Sequence, residues 1–193
     1  KMLRHISTGK SELISYDFSN YKDLINKCII DIKDSLNEYP KIFVYGRECI
    51  QHRSIGFFSD KSIGYTYSRK LESSQNLTDN LKKLLEIINT FFKSDFNGIL
   101  INKYLDGNEY ISSHSDDEKE ISENGVISIS VGAVRKFRIR DKSSRKIVKD
   151  IPTEPYNVIH MNGDFQKEFL HEIPIEKKIK DCRYSLTFRK HTK

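Results

Sequence analysis

The sequence has 193 residues, 33 Lys and Arg against 27 Asp and Glu, a net charge of +6, and 37% hydrophobic residues. No run approaches the roughly 18 apolar residues of a membrane-spanning helix, and Cys28, Cys49 and Cys182 lie far apart outside any CxxC spacing, which excludes a membrane bundle and a disulfide-framed scaffold. The start, Lys1 to His5, lacks the apolar stretch of a signal peptide, so an intracellular protein, nuclear or cytoplasmic, is expected.

With no repeat and no low-complexity linker, residues 1–193 read as a single domain. Ser19 or Asn20 can cap a helix running to about Tyr39, with Leu24, Ile25, Cys28, Ile29, Ile32 and Leu36 on one stripe and Pro40 as its stop. Residues 1–40 are therefore expected to form an N-terminal helical segment. Thr78 caps a second helix, in which Leu81, Leu84, Leu85, Ile88 and Phe92 recur at helical spacing.

After Gly98 the period drops to two. Ile99–Tyr104, Val126–Val131, Lys136–Arg140, Tyr156–Ile159, Glu168–Leu170 with Ile173, and Tyr184–Arg189 read as strands. Asp106-Gly107 and Asn124-Gly125 are turn signals between them. Helices first and strands later predict an α+β protein: a double-sheet barrel of antiparallel strands buttressed by helices on one face.

The charge is unevenly placed. Residues 41–70 hold six basic residues against two acidic ones, 133–150 eight against two, and 177–193 seven against one. Between them, residues 106–123 hold seven acids and one Lys. An acidic island in basic flanks suits a polyanionic partner, although solvated charged faces look the same.

The informative motif is His114-Ser115-Asp116. Side chains two residues apart on an extended segment point to one side, so an imidazole and a carboxylate converge there. One further His would complete a two-His, one-carboxylate triad, the arrangement of non-heme Fe(II) oxygenases. His160 and His171 are the candidates, and His171 is favoured. Arg183 and Arg189, six residues apart, share one face of a strand. Buried arginines on a Tyr/Leu/Phe strand need an anionic partner, and a dicarboxylate cosubstrate such as 2-oxoglutarate supplies one.

Five blocks together carry a resemblance: Asn102-Lys103-Tyr104, His114 to Glu118, Ser130 to Phe137, His171-Glu172-Ile173-Pro174, and Arg183 to Arg189. In order and spacing they resemble the AlkB family of Fe(II)/2-oxoglutarate dioxygenases, most closely its eukaryotic DNA- and RNA-repair homologues, over roughly residues 40–190. The resemblance implies a double-stranded β-helix, or jelly-roll, barrel over 98–190, with a nucleotide-recognition region at 41–75. It also implies that His114, Asp116 and His171 hold Fe(II) and act in catalysis. Asn102, Tyr104, Arg183, Ser185, Thr187 and Arg189 would bind 2-oxoglutarate, with Ser185 standing where the family usually has Asn. O2 is the co-reactant and ascorbate the reductant.

The same resemblance extends to the substrate. Val44, Tyr45, Gly46 and Arg47 resemble a hairpin pushed into a duplex beside a damaged base. Tyr65, Thr66 and Tyr67 resemble the wall on which a flipped base stacks, with Asp117, Glu118 and Arg135 as further substrate contacts. A base must leave the stack before its alkylated atom can be reached. The implied activity is oxidative demethylation of 1-methyladenine- or 3-methylcytosine-type bases in DNA or RNA. It is coupled to decarboxylation of 2-oxoglutarate to succinate and CO2, with release of formaldehyde. A monomer without membrane association is expected. The alternatives are an oxygenase of the same type acting on a protein or small molecule, and a non-catalytic nucleic-acid-binding module.

Overall fold

The computed structural model describes residues 2–62, 64–67, 70–116 and 124–191. In chain order it runs β1 (Met2–Ser7), β2 (Ser11–Asp17), α1 (Lys22–Ile32), β3 (Lys41–Val44), β4 (Arg47–Ile50), β5 (Ser54–Phe58), β6 (Gly64–Tyr67), β7 (Lys70–Gln75) and α2 (Asp79–Phe92). It continues through β8 (Gly98–Tyr104), β9 (Ile111–His114), β10 (Val126–Gly132), β11 (Lys136–Asp141) and β12 (Ile147–Pro152). The last elements are β13 (Asn157–Gly163), the single turn α3 (Phe165–Glu168), β14 (Phe169–Ile173) and β15 (Arg183–Arg189).

Among the described residues nine strands form one sheet, in the order β1-β2-β13-β10-β15-β8-β5-β7-β6, and four form a second, β12-β11-β14-β9. The strands β3 and β4 stand apart as a two-stranded ribbon. Helices α1 and α2 cover the outer face of the large sheet, where Ile25, Cys28, Ile32, Leu81, Leu84 and Ile88 pack against Ile99, Ile101, Ile127, Ile129, Leu186 and Phe188. A second core lies between the sheets, built from Leu13, Tyr104, Ile111, Val126, Phe137, Ile139, Met161, Phe169 and Ile173. This is the expected α+β jelly-roll architecture.

The strict alternation of β15 shows how the sequence positions the interior. Leu186 and Phe188 turn to the helices, whereas Arg183, Ser185, Thr187 and Arg189 turn inward, as period two requires. Registers on both sides extend this inner face into rows: Ser185 lies opposite Ser130 on β10 and Asn102 on β8, and Arg183 opposite Gly132 and Tyr104.

Several expectations need correction. Residues 1–40 are not uniformly helical, because β1 and β2 form a hairpin that joins the large sheet through β13. Strand β2 is buried at three consecutive positions, Leu13 to Ser15, as well as at Ser11, with Glu12 half-buried between, so no alternation marks it. Helix α1 starts at Lys22 and stops at Ile32; neither Ser19 nor Asn20 caps it, and Asp17 Oδ1 instead accepts from the amide of Ser19 at 2.8 Å. Beyond Ile32 the chain leaves the helix because the backbone of Asn37 exchanges two hydrogen bonds with Ile55, at 2.7 and 3.0 Å. Thr78 does cap α2, accepting from the amide of Leu81 at 3.1 Å. The sheets are not wholly antiparallel, since β5 and β7 pair in parallel. Strands β5 to β7 also extend the large sheet, so it draws on residues well outside 98–190.

Candidate functional site

Strands β9 and β14 carry the two histidines to the same point, with His114 directly opposite His171. Their rings lie 4.4 Å apart between centroids, and Phe137 stacks on His171 at 5.3 Å and 13°. Asp116 turns its carboxylate between them: Oδ1 is 3.9 Å from His114 Nε2, and Oδ2 is 3.4 Å from His171 Nε2. One ligand atom from each of the three residues falls within 4.8 Å of the others.

The protonation states suit a cation at this point. His114 Nδ1 lies 2.8 Å from the carbonyl of Ser112; a carbonyl only accepts, so Nδ1 carries the proton and Nε2 offers its lone pair. Burial, followed by the neighbouring His171, draws the His114 pKa down to about 3, so the ring is neutral. Burial pushes the Asp116 carboxyl upward, but Arg189 and the two imidazoles outweigh it and hold it well below the usual carboxylate range. The donor set therefore fits a divalent metal of the Fe(II) type: two imidazoles and one carboxylate, with one side open to the cavity.

The cavity, open to solvent on one side, is lined next to the triad by Asn102, Tyr104, Arg183, Ser185, Thr187 and Arg189. Arg189 is 2% exposed, with Nη2 3.4 Å from Asp116 Oδ1 and its guanidinium 4.7 Å above the ring of Tyr65. Arg183 is equally buried; it donates to Ser130 Oγ at 2.9 Å and lies 5.4 Å over the ring of Tyr104. Among the described residues no carboxylate pairs with it, and its Nε has no partner. Burial lowers its pKa to about 10, so at neutral pH it is a buried cation that no carboxylate among the described residues pairs with.

Sequence reasoning missed Arg53. It is 3% exposed, lines the cavity, donates through Nε to Asn102 Oδ1 at 2.7 Å and sits 5.3 Å over Tyr67. That bond turns the Asn102 amide so that its nitrogen is left to donate elsewhere. Arg53 precedes β5 in a stretch whose basic residues look alike in sequence, and only the β5–β8 pairing brings it to Asn102.

The expected substrate residues divide. Tyr65 and Tyr67, alternate residues of β6, face the site: Tyr65 lines the cavity, and Tyr67 meets His114 edge-on at 6.1 Å. Thr66 lies exposed on the other side of that strand. Val44 and Arg47 pair at the tip of the β3–β4 ribbon, where Tyr45 and Gly46 both take positive φ, 50° and 75°, as a type I′ turn requires. Tyr45 is fully exposed there. Arg135 departs from expectation: it is 1% exposed and donates to the carbonyls of Asp106, Glu109 and Pro174. It thus clamps two loops and does not line the cavity. Asp117 and Glu118 lie outside the described residues. His160 is occupied elsewhere, its Nε2 2.8 Å from the carbonyl of Asn124 and its ring against Phe92.

The sequence profile of the 2OG-Fe(II) oxygenase superfamily matches residues 22–189, most of the chain. The chain belongs to this superfamily. Within it the AlkB family is the relevant branch. The chain is 30% identical over 158 residues to human DNA oxidative demethylase ALKBH2, covering 78% of this chain and 60% of that protein. It is 33% identical over 137 residues to mouse alpha-ketoglutarate-dependent dioxygenase alkB homolog 3, covering 66% of this chain and 48% of that one. The chain thus spans about half to three fifths of the length of these relatives. The solved structure of OsALKBH1 shares the fold, with a TM-score of 0.63 at 15% identity, over 98% of this chain and all of that one. No helix among the described residues is long and apolar enough to cross a membrane.

Proposed function

We propose that the chain is an Fe(II)- and 2-oxoglutarate-dependent dioxygenase that demethylates N-alkylated bases of the 1-methyladenine or 3-methylcytosine type in DNA or RNA, inside the cell. One observation supports this reading above others: a buried Arg183, without a carboxylate partner among the described residues, shares a cavity with a His-Asp-His triad. In this reading Fe(II), held by His114, Asp116 and His171, supplies the oxidation of the alkyl carbon with O2 and 2-oxoglutarate, and ascorbate keeps the metal reduced.

The side chains of the chain bind and orient. Arg189, beside Asp116, faces the keto-acid end of the cosubstrate. Arg183, with the Tyr104 hydroxyl, receives the far carboxylate through charge-assisted bonds. Asn102, Ser185 and Thr187 add polar contacts along the cavity wall. Tyr67 stands at the wall beside the triad, with Tyr65 packed beneath Arg189, and base stacking on such a ring contributes about 1–3 kcal/mol per base. The Val44–Arg47 hairpin reaches into the stack, with Asp117 and Glu118 near the base edge. The buried Arg135 and the outward Thr66 have no part in this reading.

The test is incubation with Fe(II), ascorbate, 2-oxoglutarate and oligonucleotides bearing 1-methyladenine or 3-methylcytosine, single- and double-stranded. Loss of one methyl mass, dependent on iron and 2-oxoglutarate, is the expected result. Succinate formation without demethylation favours instead an oxygenase acting on a protein or small molecule.

A further inference from the structure

The β9–β14 ladder ends at the pair His114–His171, so Asp116, two residues further on, has no strand partner to fix its backbone. Its amide donates instead to Gln166 Oε1 at 2.8 Å. Gln166 is itself pinned in α3: its Nε2 reaches Met161 Sδ at 3.5 Å, and its carbonyl accepts from Lys142 Nζ at 3.0 Å. The same ammonium donates to Ser115 Oγ at 2.9 Å. Two side chains distant in sequence, one from the β11–β12 tip and one from the β13–β14 connection, therefore grip the dipeptide that carries the carboxylate.

We propose that Gln166, braced by Lys142, is the positioning residue that aims Asp116 at the metal, an inference that rests on reading the triad as an iron site. The Gln166 acceptor fixes the peptide plane between Ser115 and Asp116. That plane sets the direction of the Asp116 Cα–Cβ bond and so places the carboxylate between the two imidazoles. Without it the Ser115–Asp116 peptide loses its backbone anchor, and the carboxylate must be reordered each time a metal binds. Lys142 acts one step back, holding Gln166 through its carbonyl and Ser115 through its hydroxyl. The device is absent from any motif because its four residues span positions 115 to 166, and none of the bonds lies within a strand.

Titration of the metal-free protein with Mn(II), followed by the free Mn(II) electron-spin signal, tests this without any turnover. Gln166→Met keeps the shape and removes the acceptor, and should weaken Mn(II) binding by about 10–100-fold. Gln166→Glu keeps an acceptor and should remain within about threefold of wild type, by the same reasoning. Lys142→Met, at a hairpin tip, should weaken binding by a smaller factor, and it serves as the probe should Gln166→Met fail to fold. Gln166→Met binding within twofold of wild type overturns the proposal. So does equal weakness of the Met and Glu variants, which assigns the effect to packing. If the wild-type protein binds no Mn(II), the iron-site reading itself falls.

Discussion

Arg189 and Asp116 share one oxygen: the guanidinium Nη2 lies 3.4 Å from Oδ1, while the other carboxylate oxygen faces His171. Both residues are almost wholly buried. Removing one partner of such a pair leaves an uncompensated charge, which costs about 3–5 kcal/mol. Arg189→Met is therefore expected to lower the thermal midpoint of the metal-free protein. Added Mn(II) should restore part of the loss, because a cation then returns to Asp116. Arg189→Met with Asp116→Asn should be more stable than Arg189→Met alone, read as the coupling term of a double-mutant cycle.

Arg183 predicts the opposite behaviour. It is a buried cation with no carboxylate among the described residues, so its desolvation is not offset by an ion pair. Arg183→Met should leave the metal-free protein as stable as wild type or more so. It should also abolish measurable 2-oxoglutarate binding, a loss of about 100-fold or more if a bidentate charged contact is removed. Calorimetric titration with 2-oxoglutarate and a thermal melt on the same sample separate the two effects.

The hairpin tip permits a test in which stability and function part company. Tyr45 takes φ 50° and is fully exposed, a position that suits Asn far better than an aromatic residue. Tyr45→Asn should leave global stability within about 0.5 kcal/mol, as for other surface changes. Demethylation of a duplex oligonucleotide should nevertheless fall relative to the single strand, because the inserted ring is gone. Equal rates on both substrates would remove the hairpin from the proposed function.

Tyr39 should impose a pH dependence at the alkaline end. Its hydroxyl donates to Glu109 Oε2 at 2.6 Å; that bond first, then burial and nearby acids, raise its pKa to about 12. A pKa raised on folding contributes stability in full below the ordinary tyrosine value and loses it as pH climbs toward the folded value. Tyr39→Phe should thus be less stable than wild type at pH 9, by about 0.5–1.5 kcal/mol for one hydrogen bond. The gap should close between pH 10 and 12, as read from urea melts.

Local spacing made part of this molecule legible. The convergence of His114 and Asp116, the shared face of Arg183 and Arg189, and the Thr78 cap each rest on residues a few positions apart. The backbone period that places such side chains on one face is a property of the chain itself. The β1–β2 hairpin was not legible, because a strand buried on both faces shows no alternation. The length of α1 was not legible either, because Asn37 is claimed by Ile55.

Residues whose roles depend on a distant partner had no local signature at all. Arg53 and Arg135 both read as basic residues suited to an anionic substrate. The fold brings Arg53 into the cavity against Asn102, 49 residues away, and closes Arg135 inside a clamp of backbone carbonyls. Gln166 passes as an ordinary polar residue until the β14–β9 pairing delivers the amide of Asp116 to it. The sequence by itself determined which chemical groups the protein carries and the faces they share on each element. Only the tertiary structure decided which of those groups meet, because meeting depends on strand pairings between residues far apart in the chain.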